Sequence, residues 1–152
     1  MSPSTRRLGI LTGGGDCPGL NAVLRAVAKT AILQYGIEVI GIEDGFQGLI
    51  EHRVRPLGLK DVSGILTRGG TILGSNNKCN PTRYCTGRKP DGTPIWEDVT
   101  EKCLTTIARE RLDALIVIGG DGTMACAAPI AAAGINVIGV PKTIDNDLVG
   151  TE

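Results

Sequence analysis

Four short apolar runs constrain this chain more than any other feature: residues 7–12 (RLGILT), 37–42 (IEVIGI), 113–118 (DALIVI) and 135–140 (INVIGV). Each has glycine or proline at one flank at least, and each is too short for an ordinary helix. Continuous apolar runs of this length read as strands buried on both faces. Between them the spacing changes to that of helices. Leu20, Val23, Leu24, Val27 and Ala31 form an i, i+3, i+4, i+7, i+11 stripe, with Pro18 at its entry and Gly36 at its end. Val99, Cys103, Ile107 and Ala108 place a second helix over residues 99–111, and the alanine-rich residues 122–133 a third. Pro129 should kink or end that third helix, because an interior proline costs about 3 kcal/mol. Strands alternating with helices predict an α/β domain with a mainly parallel sheet and helices on both faces.

The remaining segments are less regular. Residues 44–49 (DGFQGL) read as a turn, residues 53–59 stay unassigned, and residues 62–66 read as a short helix. Residues 69–96 carry glycine, asparagine, proline and charge with little periodicity, and read as a long loop or irregular hairpin of the kind that usually serves function. At 152 residues the chain has length for one domain. Its 16 basic and 16 acidic residues cancel, which disfavours charge-driven binding to nucleic acid or to a membrane surface. No apolar run approaches the ~18 residues needed to cross a bilayer, and the polar start lacks a signal-type apolar core, so a soluble, cytoplasmic protein is expected. Cys17, Cys79, Cys85, Cys103 and Cys126 contain no C-x-x-C pair and read as reduced thiols. Glycine is the compositional outlier, with 22 residues, about twice ordinary usage.

Those glycines fall where three of the runs end. GGGDCPGLN (13–21), GGDGT (119–123) and PKTIDND (141–147) each follow a strand, and in an open parallel sheet the carboxyl ends of strands border the ligand crevice. The first segment could set backbone N–H groups and a helix N-terminus against phosphate, or be a structural turn. It matches neither the dinucleotide fingerprint, which needs glycine at Pro18, nor a Walker loop, which needs lysine at Leu20. In the second, Gly119, Gly120 and Gly122 admit a ligand to the backbone, Asp121 offers one carboxylate to a phosphate-bound Mg²⁺, and Thr123 adds a hydroxyl; the alternative is an Asp-Gly turn. In the third, a carboxylate from Asp145 or Asp147 could take the proton of an attacking hydroxyl while Lys142 and Thr143 orient anionic oxygens; the alternative is a solvated Asx turn.

The sequence resembles the amino-terminal part of the 6-phosphofructokinase family. The matching segments, in the family's order, are LTGGGDCPGLNAVLR (11–25), DGFQGL (44–49), RGGTILGS (68–75), IGGDGT (118–123) and VPKTIDNDLVGT (140–151). GGDGT also occurs in NAD kinases and diacylglycerol kinases, whose acceptors differ, whereas the last segment is the most family-specific. The resemblance implies a Rossmann-like three-layer αβα sandwich. It implies transfer of a phosphoryl group from ATP, with Mg²⁺, to the 1-hydroxyl of fructose 6-phosphate in glycolysis, in a homo-oligomer. It places Gly15, Phe46, Lys78, Gly120, Asp121, Gly122 and Thr123 at the donor, with Asp121 on the metal. Asp145 would be the base, Thr143 would touch the sugar phosphate or the moving phosphoryl group, Ile144 would border the substrate, and Asp147 and Lys142 would support the reacting groups.

Two departures bear on the donor. Asn76, Asn77 and Lys78 stand where bacterial ATP users commonly carry arginine, so Lys78 would act as a point charge without a bidentate fork. Gly122 resembles ATP users and Lys142 resembles pyrophosphate users; ATP is favoured because an absent side chain leaves room, with pyrophosphate the alternative. Arg25 and Lys29, at i and i+4, correspond to basic residues of the family's effector site, or form a solvated helix face. His52 falls outside every motif and reads as a surface or packing residue. Family members are more than twice this long, so residues 1–152 are expected to form the nucleotide domain alone, without the sugar-phosphate half, and to be inactive or nearly so in isolation.

Overall fold

A computed structural model describes residues 6–150. Residues 1–5 of the polar start and Thr151 of the last motif lie outside the described residues. In chain order the elements are β1 (Arg7–Thr12), α1 (Leu20–Tyr35), β2 (Glu38–Ile42), α2 (Phe46–Glu51), β3 (Val54–Pro56), a 3₁₀ turn (Pro81–Arg83), β4 (Tyr84–Arg88), β5 (Pro94–Glu97), α3 (Thr100–Arg109), β6 (Ala114–Gly119), α4 (Asp121–Ala132) and β7 (Val137–Pro141). Five strands form one sheet in the order β3-β2-β1-β6-β7, while β4 and β5 form a separate hairpin. The pairs β1–β2, β1–β6 and β6–β7 are parallel, and β3 lies antiparallel to β2 at the edge.

Alternation along each strand divides the interior into two cores. Ile10 of β1, Val39 of β2, and Ile116 and Ile118 of β6 pack with Leu20, Leu24 and Ala31 of α1 on one face. Leu11, Ile40, Ile42, Leu115 and Val117 meet residues of α2, α3 and α4 on the other. The result is the expected three-layer α/β arrangement, one helix above the sheet and three below. Burying a side chain such as Leu24 completely stabilises the fold by about 1.5–3 kcal/mol. Gly36 stops α1 as its position suggests. It takes φ +61° and donates to Ile32 O, while Ile37 N–H reaches back to Ala31 O and closes the helix end.

Several expectations need correction. Residues 44–49 are not simply a turn, because Phe46, Leu49 and Ile50 sit at i, i+3, i+4 and are buried as the face of α2. Residues 62–66 are not a helix. Gly64 lies at φ +72°, and the stretch closes instead through three-residue bonds such as Ser63 N–H to Lys60 O and Arg68 N–H to Ile65 O. Val62 and Ile65 are still buried, packing with Ala28 of α1. Pro129 does not stop its helix; α4 continues through it to Ala132. The proline falls in the last turns, and Ala125, the residue whose carbonyl loses its donor, is exposed. The segment 69–96 agrees with the second of its two readings: its second half is an irregular hairpin, with a register shift between Cys85 and Gly87 and Arg83 4.8 Å over the ring of Trp96.

Candidate active site

Strand register brings the three polar segments together. Thr12 pairs with Ile118, and Ile118 pairs with Val140, so β1, β6 and β7 end at one level. The pairing continues past the strands, with Gly13 N–H donating to Ile118 O (2.8 Å) and Lys142 N–H to Gly119 O (3.0 Å). From β1 the chain moves outward to β2 and β3 and later returns on the other side as β6 and β7. The carboxyl ends of β1 and β6 therefore flank the point where strand order reverses, the usual ligand crevice of such sheets.

A cavity of about 410 Å³ opens there. Gly15, Gly120, Asp121, Gly122, Thr123, Lys142, Thr143, Ile144, Asp145 and Asp147 all line it, and so do Phe46 at the start of α2 and Lys78. Asp121 and Asp145 thus face the same space. The α4 N-terminus opens onto it at Gly120, which no side chain caps, so the first-turn N–H groups remain for an anion. Thr123 is buried, and its side chain fills the space that Gly13 and Gly119 leave: a Cβ on Gly119 would lie 2.5 Å from Thr123 Cβ. Gly122 differs, since a Cβ there would meet nothing within 4 Å.

The loop after β7 is held from two directions. The Lys142 ammonium donates to the Gly15 carbonyl, tying this loop to the one after β1. The Thr143 hydroxyl donates to Asp147 Oδ1 (2.8 Å) and accepts Asp147 N–H, which closes the turn carrying Asp145; Asn146 there adopts φ +53°. Among the described residues no cluster of three His, Cys, Asp or Glu side chains could hold a metal. Asp121 at the cavity wall suits Mg²⁺, which takes only one or two protein carboxylates and otherwise keeps water and substrate phosphate.

The chain matches the family model described as phosphofructokinase over residues 7–152. It belongs to the phosphofructokinase family. Among curated relatives it is 52% identical over 152 residues to ATP-dependent 6-phosphofructokinase 2 of Clostridium perfringens, covering all of this chain and 41% of the relative. It is 48% identical over 146 residues to the pyrophosphate–fructose 6-phosphate 1-phosphotransferase of Amycolatopsis methanolica, covering 96% of this chain and 39% of that one. The crystal structure of Pichia pastoris phosphofructokinase in the T-state superposes with a TM-score of 0.79 at 29% identity, over 99% of this chain and 16% of that one. The chain therefore spans about two-fifths of the length of the curated phosphofructokinases it matches.

Gly119, Arg25 and Lys29 do not line the cavity, and neither does His52, which the sequence already suggests is a packing residue. Arg25 and Lys29 are half-buried on α1, and the Arg25 guanidinium donates to Val62 O (3.0 Å), tying the helix to the 62–65 turn. His52 caps the end of α2 and pairs with Glu110 at 2.6 Å, a packing contact between helix ends. Conversely, Gly14, Asn80, Cys79, Cys126 and Leu148 line the cavity without having been singled out for it. Two signals were available: Cys126 follows Thr123 by one helical turn, and Cys79 and Asn80 follow Lys78. Burial pushes the Cys79 thiol up to about 11, and the neighbouring Cys126 adds to the effect.

Proposed function

We propose that this chain is the donor-binding part of a 6-phosphofructokinase, moving a phosphoryl group from ATP to the 1-hydroxyl of fructose 6-phosphate. The observation that carries the reading is the single cavity shared by the three strand ends, with Asp121 and Asp145 both on its wall. In this reading the Gly120–Thr123 backbone at the α4 N-terminus binds the polyphosphate, where the helix dipole favours negative charge. Asp121 would hold Mg²⁺, which when bound with the phosphates neutralises charge that develops on them. Asp145 accepts the proton of the sugar hydroxyl as its oxygen attacks the terminal phosphorus, and the bond to the departing ADP breaks. Thr143 and Ile144 border the acceptor, and the Thr143–Asp147 hydrogen bond fixes the angle at which Asp145 is presented. Lys142 keeps two of its three ammonium hydrogens for anionic oxygens after its bond to Gly15 O. The working enzyme is proposed to be a cytoplasmic, glycolytic homo-oligomer.

ATP is the preferred donor because of Gly122. A side chain there would enter the cavity, and about 410 Å³ lies within the ~300–1,000 Å³ usual for ligands of nucleotide size. Pyrophosphate is the second reading, supported by the Lys142 ammonium beside the first glycine loop. Calorimetric titration of the chain with MgATP and with magnesium pyrophosphate separates them. MgATP should bind more tightly, and Gly122→Asp should weaken it at least tenfold. Tighter pyrophosphate binding, with MgATP binding unchanged in Gly122→Asp, would reverse the donor assignment.

A further inference from the structure

We infer that Asn21 is a positioning residue for the donor cavity, fixing the 68–72 backbone and through it the strap that carries Asn76 and Lys78 to the ligand. Asn21 lies in the first turn of α1 and is only 1% exposed, between the buried Leu20 and Leu24. A carboxamide in such a place costs about 1–3 kcal/mol if left unpaired, so what it bonds to is decisive. All of its groups go to one distant segment. Nδ2 donates to Arg68 O (3.1 Å) and Gly69 O (3.2 Å), and Oδ1 accepts Ile72 N–H (2.8 Å).

A second buried group grips the same segment a few residues on. The Thr12 hydroxyl, at the end of β1 and 0% exposed, donates to Gly74 O (2.8 Å) and meets the Thr71 hydroxyl at 2.9 Å. Asp44 N–H donates to Leu73 O (2.9 Å) and the Arg55 guanidinium to Ile72 O (3.2 Å), so β1, α1, β3 and the turn before α2 all hold residues 68–74. The strap leaves that clamp directly into the cavity wall. There Asn76 donates to Gln47 Oε1 (2.8 Å) and accepts Lys78 N–H (2.8 Å). Thr12 precedes and Asn21 follows the glycine loop whose Gly14 and Gly15 also line the cavity, so the same two residues tie the strap to the flanks of that loop.

The geometry stands by itself; its consequence for ligand rests on the donor reading above. The test uses the 152-residue chain with Asn21→Asp, which keeps the size and the acceptor but sets oxygen against two carbonyls, and the pair Thr12→Val and Thr12→Ser. Amide exchange at residues 68–80 should accelerate at least tenfold in Asn21→Asp and Thr12→Val while β1 and β6 stay protected. Thr12→Ser, which keeps the hydroxyl, should behave as the unmodified chain. The MgATP dissociation constant should rise at least tenfold in Asn21→Asp, and adding Lys78→Ala should cost little beyond Lys78→Ala alone, because both act through the strap. Acceleration spread evenly over β1 and β6, no acceleration at 68–80, or losses of Asn21→Asp and Lys78→Ala that multiply would each overturn the inference. Failure of the unmodified chain to bind MgATP would overturn the donor reading itself, whereas binding that Asn21→Asp leaves intact overturns the inference alone.

Discussion

At the scale of single residues, the glycines around the cavity serve different ends. Gly13 and Gly119 are small because Thr123 packs against them, whereas Gly122 is small beside open space. Gly119→Ala should therefore destabilise the chain by about 1–3 kcal/mol through overpacking. Gly122→Ala, in the first turn of α4, should stabilise it by about 0.4–1 kcal/mol. Urea unfolding of the two variants checks the contrast, and equal effects would refute it. The sequence shows that glycine clusters at strand ends, but not which of them faces a side chain and which faces the open cavity, since that depends on where Thr123 packs. The thiols give a second test at this scale. Burial raises Cys103 to about 12 and Cys79 to about 11, above the ordinary value of 9.0. The folded state thus keeps both neutral while the unfolded chain ionises. Their burial favours the fold fully below pH 9, and that advantage is lost as pH rises from 9 toward these values. Replacing Cys103 by alanine should flatten the alkaline fall in stability, and an unchanged slope would contradict the assignment. Near pH 7.5 iodoacetamide should label the exposed Cys85 well before Cys103.

At the scale of elements, legibility followed periodicity. The strands β1, β2, β6 and β7 and the helices α1 and α3 were readable within one or two residues because runs and stripes repeat often enough to be distinctive. In α2 the same spacing, at Phe46, Leu49 and Ile50, occupies little more than one turn, preceded by Gly45 and interrupted by Gly48, and was masked by turn composition. Strand β3 contributes three residues ending in proline, which the sheet edge tolerates and periodicity does not reveal. The 62–66 stretch has helical apolar spacing, yet the backbone at Gly64 overrides it. The proline in α4 marks a local conflict that tertiary packing resolves. Cys126, Ala127 and Ile130 bury the helix against the sheet on both sides of Pro129, outweighing the lost bond. Pro129→Ala should then raise stability by about 1–3 kcal/mol, read from the urea midpoint. A lower midpoint would show that the proline is needed where it stands.

At the scale of the whole molecule, the sequence predicts that parallel strands end in polar segments, but strand order lies outside it. The order β3-β2-β1-β6-β7 puts β1 beside β6, although about a hundred residues separate them, and this adjacency makes one site out of three loops. Gly15, Phe46, Lys78, Gly120 to Thr123, Lys142 to Asp145 and Asp147 lie on that cavity; Gly119, whose side is filled by Thr123, and the effector pair Arg25 and Lys29 do not. The clamp through Thr12 and Asn21 was not legible, because its partners are backbone groups about fifty to sixty residues away. The central claim is that the ends of β1, β6 and β7 enclose one polyphosphate. Its most direct test is a nuclear magnetic resonance titration of the chain with MgATP, following backbone amides. The account predicts that Gly15, Gly120 to Thr123 and Lys142 to Asp145 shift together with a single saturation curve. Shifts confined to one of these segments, or separate curves for Asp121 and Asp145, would contradict it.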